Sequence, residues 1–236
     1  MKERNVRTVA MGAAVIAGLV LGIAGAVAQQ PAGEGKQAKK APPLQRSPLF
    51  FREDWKPPTP AGERPVRLDD VSNANLELKL YGTSGKDILF SGNAGSETNP
   101  LNLWTGVTTS PIAVAFREKN NFVDLTGLGK VRWLTRTSGF HVVRPMVKLA
   151  DGTWLVGDRV SGTWADFNES EISYPEVRWM QLDIERVVTK GRWVENVDLS
   201  KVDEVGFADL MPGSGHGPGG WVNVARVEVY GKPVKR

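Results

Sequence analysis

From Val66 onward the sequence repeats one pattern. Short runs alternate apolar and polar residues, and Gly, Asn, Asp, Ser or Pro interrupts each run. In Leu76-Glu77-Leu78-Lys79-Leu80 every second residue is leucine. Successive side chains of a strand point to opposite faces, so a period of two builds one apolar face. Further strands are expected within 87–91, 102–106, 111–117, 130–137, 141–149, 153–158, 177–184, 203–210 and 222–231. No stretch carries a sustained helical period; 200–204 reads as a single helical turn or a plain loop. Asp151-Gly152 sits between two apolar runs, a strong hairpin signal. Many short strands with regular turns predict an all-β fold, a β-sandwich or jelly roll.

The chain ahead of this region is organised differently. Lys2, Arg4 and Arg7 precede an uncharged apolar run that ends in Ala26-Val27-Ala28. That order predicts a secretory signal over 1–28 and a periplasmic or extracellular location, an uncleaved anchor being the alternative. No later segment is apolar enough to span a membrane. Residues 29–47 lack aromatic side chains and predict a disordered tether. Phe50, Phe51 and Trp55 then open a segment, 48–75, expected to pack in extended form on a domain covering 76–236. The chain has no cysteine, which removes disulfides, thiolate metal sites and cysteine nucleophiles together. Its net charge of +4 is local. Of 30 Lys and Arg, three lie in 1–28 and four in 29–47; of 26 acids, one lies in each. The remainder holds 23 bases against 24 acids, so a basic face for nucleic acid is not expected.

The stretch VDLTGLGKVRW (123–133) joins a turn to an alternating strand with basic residues on one side. TWLVGD, VRWMQLDI, LSKVDEVGFADL and VNVARVEVYG follow in order. This succession resembles the galactose-binding-domain-like jelly rolls. It is similar in particular to the complex I intermediate-associated protein family and to carbohydrate-binding modules, over roughly 76–231. FFREDW and LADGTWLV also resemble segments of a group of exported bacterial proteins to which no activity attaches. The resemblance implies the jelly-roll fold, which binders, assembly factors and enzymes share. Many such jelly rolls hold a structural calcium ion, for which Asp69, Asp70, Asn73 and Glu228 are the candidate oxygen donors. No other cofactor is implied.

Alternation also predicts a binding face. In 130–137, Val131, Trp133 and Thr135 point one way and Arg132, Leu134 and Arg136 the other. In 141–149, Arg144, Met146 and Lys148 oppose the apolar set. In 177–184, Met180, Leu182 and Ile184 read as core, leaving Trp179, Gln181 and Asp183 outside. If these strands are neighbours, one outer face collects Arg132, Arg136, Arg144, Lys148, Trp179, Gln181 and Asp183. Rings cover the C–H faces of sugars, while Arg, Gln and Asp exchange hydrogen bonds with hydroxyls. Trp154 and Trp164 bracket a loop expected at the rim of that face, and PGSGHGPGGW is a second candidate rim loop. The same residues also suit an ordinary solvated sheet face.

Three functions stay open on the sequence. The first is a non-catalytic module that binds carbohydrate or a similar polyhydroxylated component of the cell envelope. The second is a structural or protein-interaction module. The third, a glycan-cleaving enzyme, requires two carboxylates facing each other across a cleft. Glu169 and Glu171 share one strand and flank nothing, while a distant pair such as Asp166 with Asp183 is left open. With only His141 and His216, a histidine metal triad is impossible, and no G-x-S-x-G elbow accompanies either. His141 is expected at the surface. Gly215 to Gly220 form a formal G-x-G-x-x-G, but a strand follows instead of a helix, so no phosphate cradle is expected.

Overall fold

A computed structural model describes residues 45–215 and 219–236. The signal segment 1–28, tether residues 29–44 and His216 lie outside the described residues. The strands in chain order are β1 (Leu49–Glu53), β2 (Arg64–Pro65), β3 (Leu76–Tyr81), β4 (Leu89–Ser91), β5 (Asn102–Trp104), β6 (Ile112–Glu118), β7 (Asn121–Asp124) and β8 (Lys130–Thr137). They continue with β9 (Arg144–Leu149), β10 (Trp154–Gly157), β11 (Asn168–Ser173), β12 (Trp179–Asp183), β13 (Val188–Val194), β14 (Val202–Asp209), β15 (Val222–Tyr230) and β16 (Lys232–Lys235). Among the described residues the only helical pieces are two 3₁₀ turns, Gly85–Asp87 and Tyr174–Glu176. Each pairing between these strands is antiparallel.

Two sheets result. The first runs β11-β8-β15-β5-β4-β2, and β1 pairs the second half of β15. The second runs β13-β12-β10-β9-β14-β6-β3, with β7 joining β14 to β16. The inner faces pack on each other as the alternation predicts. In β8, Val131, Trp133, Thr135 and Thr137 are buried and the residues between them are half-exposed. Trp133, Phe90, Leu103, Phe116, Phe207 and Val224 share one core cluster. Burying one such large side chain contributes about 1.5–3 kcal/mol, which lets a chain without disulfides hold together.

The segment that opens with Phe50 is more than a packed extension. Its β1 is a strand of the first sheet, and Phe51 and Trp55 enter the core, each with its ring centroid 5.6 Å from that of Phe116. The Trp55 indole Nε1–H donates to the Val224 carbonyl at 3.0 Å. Behind it, the buried Glu53 carboxylate accepts from the backbone N–H groups of Trp55, Ser72 and Asn73 at 2.7, 2.7 and 3.0 Å. The Asp-Leu-Thr-Gly turn is closed by the Asp124 carboxylate, which accepts from the backbone N–H and hydroxyl of Thr126. Residues 202–204 are neither helix nor loop but the start of β14.

Candidate functional site

The expected binding face does not exist as one surface, because its strands belong to different sheets. Arg132 and Arg136 lie on β8 in the first sheet, whereas Arg144, Lys148, Trp154, Trp179, Gln181 and Asp183 lie on β9, β10 and β12 in the second. On β12 the facing is also reversed. The register sets Trp179 opposite Gly157 and Gln181 opposite the core residue Leu155, so both share the inward side. Trp179 is buried, stacked on Tyr174 with ring centroids 6.0 Å apart. Met180 and Leu182 point outward, into a second apolar cluster with Met146, Val156 and Ala208. Val187, fully buried on the turn after β12, belongs to the same cluster. The second sheet is therefore apolar on both faces beside β12, and alternation alone cannot tell the main core from the smaller one.

Polar groups around that small cluster are engaged with each other. Glu204, fully buried, accepts from Lys79 at 2.7 Å, Lys148 at 3.0 Å and the Tyr81 hydroxyl at 2.9 Å. Burial, then the Glu204 charge, pushes the Tyr81 phenol far up. Asp203 meets Arg236 at 2.5 Å and Arg117 and Lys148 at 3.2 Å. Burial favours the neutral Asp203 acid, but its hydrogen bonds from Arg236 and Lys148 outweigh that and lower its pKa. Burial pulls Lys148 down, and its bonds to Glu204 and Asp203 reverse the shift to a raised value. Trp154 packs on Tyr81 with centroids 5.0 Å apart and under Lys148. Arg144 gives its Nη1 to the carbonyls of Gly157 and Asp158. Asp183 caps the backbone N–H groups of Glu185 and Arg186.

The donors expected for calcium do not fit that ion. Both Asp70 oxygens face the Arg64 guanidinium, at 2.6 and 2.7 Å, and this pairing, against the effect of burial, holds the carboxyl below its usual range. Glu228 lies on β15 among Arg52, Arg132, Arg226 and the Tyr230 hydroxyl. Asn73 caps the N–H of Asn75. Among the described residues no group of three or more His, Cys, Asp or Glu is placed to hold a metal, so Asp69, Asp70 and Glu228 do not converge. His141 is not at the surface: it is fully buried, with Nδ1 2.7 Å from the Asp209 carboxylate, which also accepts from Thr105 Oγ1 at 3.0 Å.

The first sheet carries a different and more coherent arrangement. Cross-strand pairing places Arg136 opposite Asn223 and Asn223 opposite Trp104, all on the outer face. Ser91 and Asn102 form the neighbouring pair. Adjacent strands lie about 4.8 Å apart, so this row brings a guanidinium, an amide and an indole side by side. A cleft of about 450 Å³ opens above it. Trp104 and Trp221 line it with ring centroids 6.5 Å apart and planes at 78°. Glu63, Ser91, Thr163 and Ala165 supply the rim. Phe140 and Trp164, the exposed neighbours of lining residues Gly139 and Thr163, stand beside it.

Local backbone chemistry makes this row possible. The Trp104 indole packs against Gly106, where a β-carbon would sit 2.2 Å from the ring. Gly220, beside Trp221, has a φ of +100° and lies so near the Ser138 carbonyl that a β-carbon there would collide with it, so only glycine fits. The Ser214 hydroxyl accepts from the Gly220 N–H at 2.6 Å and so ties Gly220 to Ser214. The amides beneath are oriented without ambiguity. The Pro100 carbonyl can only accept, so Asn102 turns its Nδ2 toward it at 2.7 Å. Asn102 Oδ1 then accepts from Asn223 Nδ2 at 2.8 Å, and Asn223 Oδ1 accepts from Arg136 Nε at 3.2 Å. The Arg136 guanidinium also lies 4.9 Å from the centroid of Phe167.

Of the residues that alternation singled out, the cleft uses Arg136, and Trp164 stands at its edge. Arg132 instead belongs to a charge ladder with Glu169 and Glu171 on the edge strand β11. Alternation joined Arg144, Lys148, Trp179, Gln181 and Asp183 to Arg132 and Arg136 on one face that the two sheets in fact divide. Trp154 lies on β10 of the second sheet, and Asn102 and Asn223 were passed over. Their signal was available: each is an amide in a strand otherwise rich in large apolar residues. A second hollow, about 370 Å³, lies by the Asp-Leu-Thr-Gly turn between Tyr174, Arg178 and Trp193. The Arg178 guanidinium there is exposed and sits over the Trp193 ring, 4.2 Å from the centroid.

No protein-family model matches the chain, and no curated protein matches it. Among solved structures it is similar to the family 11 carbohydrate-binding module of a cellulosomal cellulase of Clostridium thermocellum, at 14% identity over 72% of this chain and 95% of that one, with a TM-score of 0.42. It is also similar to the Emp47p carbohydrate recognition domain, at 10% identity over 72% and 94%, with a TM-score of 0.38. A third likeness is to an exo-β-agarase, at 10% identity over 71% of this chain and 24% of that one, with a TM-score of 0.35. Likenesses of this size assign neither a family nor a ligand.

Proposed function

We propose that the chain is an exported, non-catalytic module that binds a carbohydrate or a similarly polyhydroxylated ligand in the cleft over β8, β15 and β5. One observation carries this reading: Arg136, Asn223 and Trp104 form a cross-strand row under a concave surface that Trp221 completes. Indole faces cover sugar C–H groups without a directional requirement, and a few fixed polar groups then select the hydroxyl pattern. The leader-like pattern at 1–28 supports export. A glycan array followed by calorimetry, with and without calcium, tests the reading. Saturable binding without product release is expected, and Trp221→Ala is expected to weaken it at least about tenfold, as loss of a ring platform does. Trp193→Ala in the second hollow is expected to change nothing. If Trp193→Ala alone abolishes binding, the site lies in the other hollow. If no glycan binds, a protein partner replaces the sugar.

A further inference from the structure

Among the described residues, the basic side chains on the strands of the first sheet's outer face meet carboxylates, and Arg136 does not. Lys130 and Arg132 meet Glu171 at 2.7 and 3.1 Å. Arg226 meets Glu169, and Arg52 meets Asp54 and Glu228. Arg136 has no carboxylate partner among the described residues, and its only hydrogen bond there runs from Nε to Asn223. Among the described residues its two Nη groups have no protein acceptor. Two other cations make the contrast. Arg178 also lacks a carboxylate, but it is exposed, so water solvates it. Arg144 is half-buried like Arg136, but it delivers an Nη to two backbone carbonyls.

Arg136 is also held still. The relay from the Pro100 carbonyl through the buried amides of Asn102 and Asn223 fixes its Nε edge, and Phe167 covers one face of the guanidinium. What remains is the Nη edge of a half-buried, oriented cation on the wall of the cleft. A guanidinium fork matches a two-oxygen anion with parallel hydrogen bonds, and partial burial strengthens that attraction relative to water. Glu63, the carboxylate at the cleft, is exposed at the rim, receives the Ser91 hydroxyl at 3.4 Å and makes no ion pair with Arg136. Its repulsion toward an incoming anion is therefore screened by solvent.

We infer that Arg136 is the receptor for an anionic substituent, a carboxylate or a sulfate ester, so that the cleft takes an acidic saccharide and not a neutral one. This rests on the saccharide reading of the same cleft. The test is calorimetry on the full chain with a panel of uronate oligosaccharides, each paired with its neutral methyl ester, plus sulfated oligosaccharides of equal length. The acid or the sulfate ester is expected to bind at least about tenfold tighter than the neutral partner, since charge-assisted bonds exceed neutral ones by roughly that factor. The preference is expected to shrink with added salt. Arg136→Gln is expected to erase it, and Arg136→Lys, which keeps charge without the fork, to retain part of it. Glu63→Gln, which removes a screened charge, is expected to change affinity for the acid by less than about twofold. The tighter of the carboxylate and sulfate arms identifies the substituent. Equal binding of acid and ester, or a preference that survives Arg136→Gln in a folded variant, overturns the inference and leaves the saccharide reading standing. Absence of binding across the panel and across neutral glycans overturns both.

Discussion

The site depends on two residues that would not touch ligand. Asn102 links a carbonyl that can only accept to an amide that must then offer its oxygen to Arg136. Asn102→Ala strands the buried Nδ2 of Asn223, which costs about 1–3 kcal/mol, and releases the guanidinium. Urea unfolding is expected to show that loss, and calorimetry a several-fold weaker affinity even where the variant is fully folded. Gly106 sets the other side of the row. A methyl group there would meet the Trp104 indole at 2.2 Å, and a buried ring has little freedom to retreat. Gly106→Ala is expected to displace Trp104, shift its fluorescence and reduce glycan affinity. An unshifted emission spectrum with normal affinity would show that the ring does not need that position.

At the scale of strands, the two sheets divide the labour. The outer face of the second sheet looks like a binding surface in sequence, yet Met146, Val156 and Leu182 make it a second packed layer with Val187. Met146→Ala is expected to cost about 2–5 kcal/mol in a urea titration, as cavity formation in a core does, while glycan affinity stays unchanged. Loss of affinity at full stability would move the site to this sheet. Strands with a clean period of two were legible, and 130–137 corresponds to β8 residue for residue, whereas β7, β13 and β16 went unread. Facing was legible where one side was plainly polar, as in β8, and misleading in β12, where Met180 and Leu182 face the outer cluster while Trp179 and Gln181 face the main core. Register was not legible at all. Nothing local to Arg136, Asn223 or Trp104 announces that three strands distant in sequence lie side by side. The buried Asn102 and Asn223 were the only local hint, because an amide among large apolar residues must find partners.

For the molecule as a whole, the absence of disulfides means that the core and a few buried ion clusters must resist unfolding in whatever medium surrounds it. The cluster around Asp203 ties the C-terminal Arg236 to β14 and to Arg117 and Lys148 on β6 and β9. Burial raises the Asp203 pKa, but hydrogen bonds from Arg236 and Lys148 and the Arg236 charge outweigh it, leaving the folded value below the ordinary 3.8. A carboxyl depressed on folding binds fewer protons in the folded than in the unfolded chain. Its contribution is therefore present above the ordinary value and is lost as pH falls through the lower folded one. Glu171, paired with Lys130 and Arg132 despite a burial effect of opposite sign, is shifted the same way from 4.5, so it adds to the same acid limb. Urea midpoints measured from neutral pH downward are expected to hold above about pH 5 and to fall steeply below about pH 4, the range in which such carboxyls gain protons. Asp203→Asn is expected to be less stable than the wild type at pH 7, because it leaves three cations around a neutral amide. The two proteins should converge in acid, where the wild-type carboxyl is itself neutral. A constant gap between them from pH 7 to pH 2 would mean that the cluster holds the C-terminus by shape and not by charge.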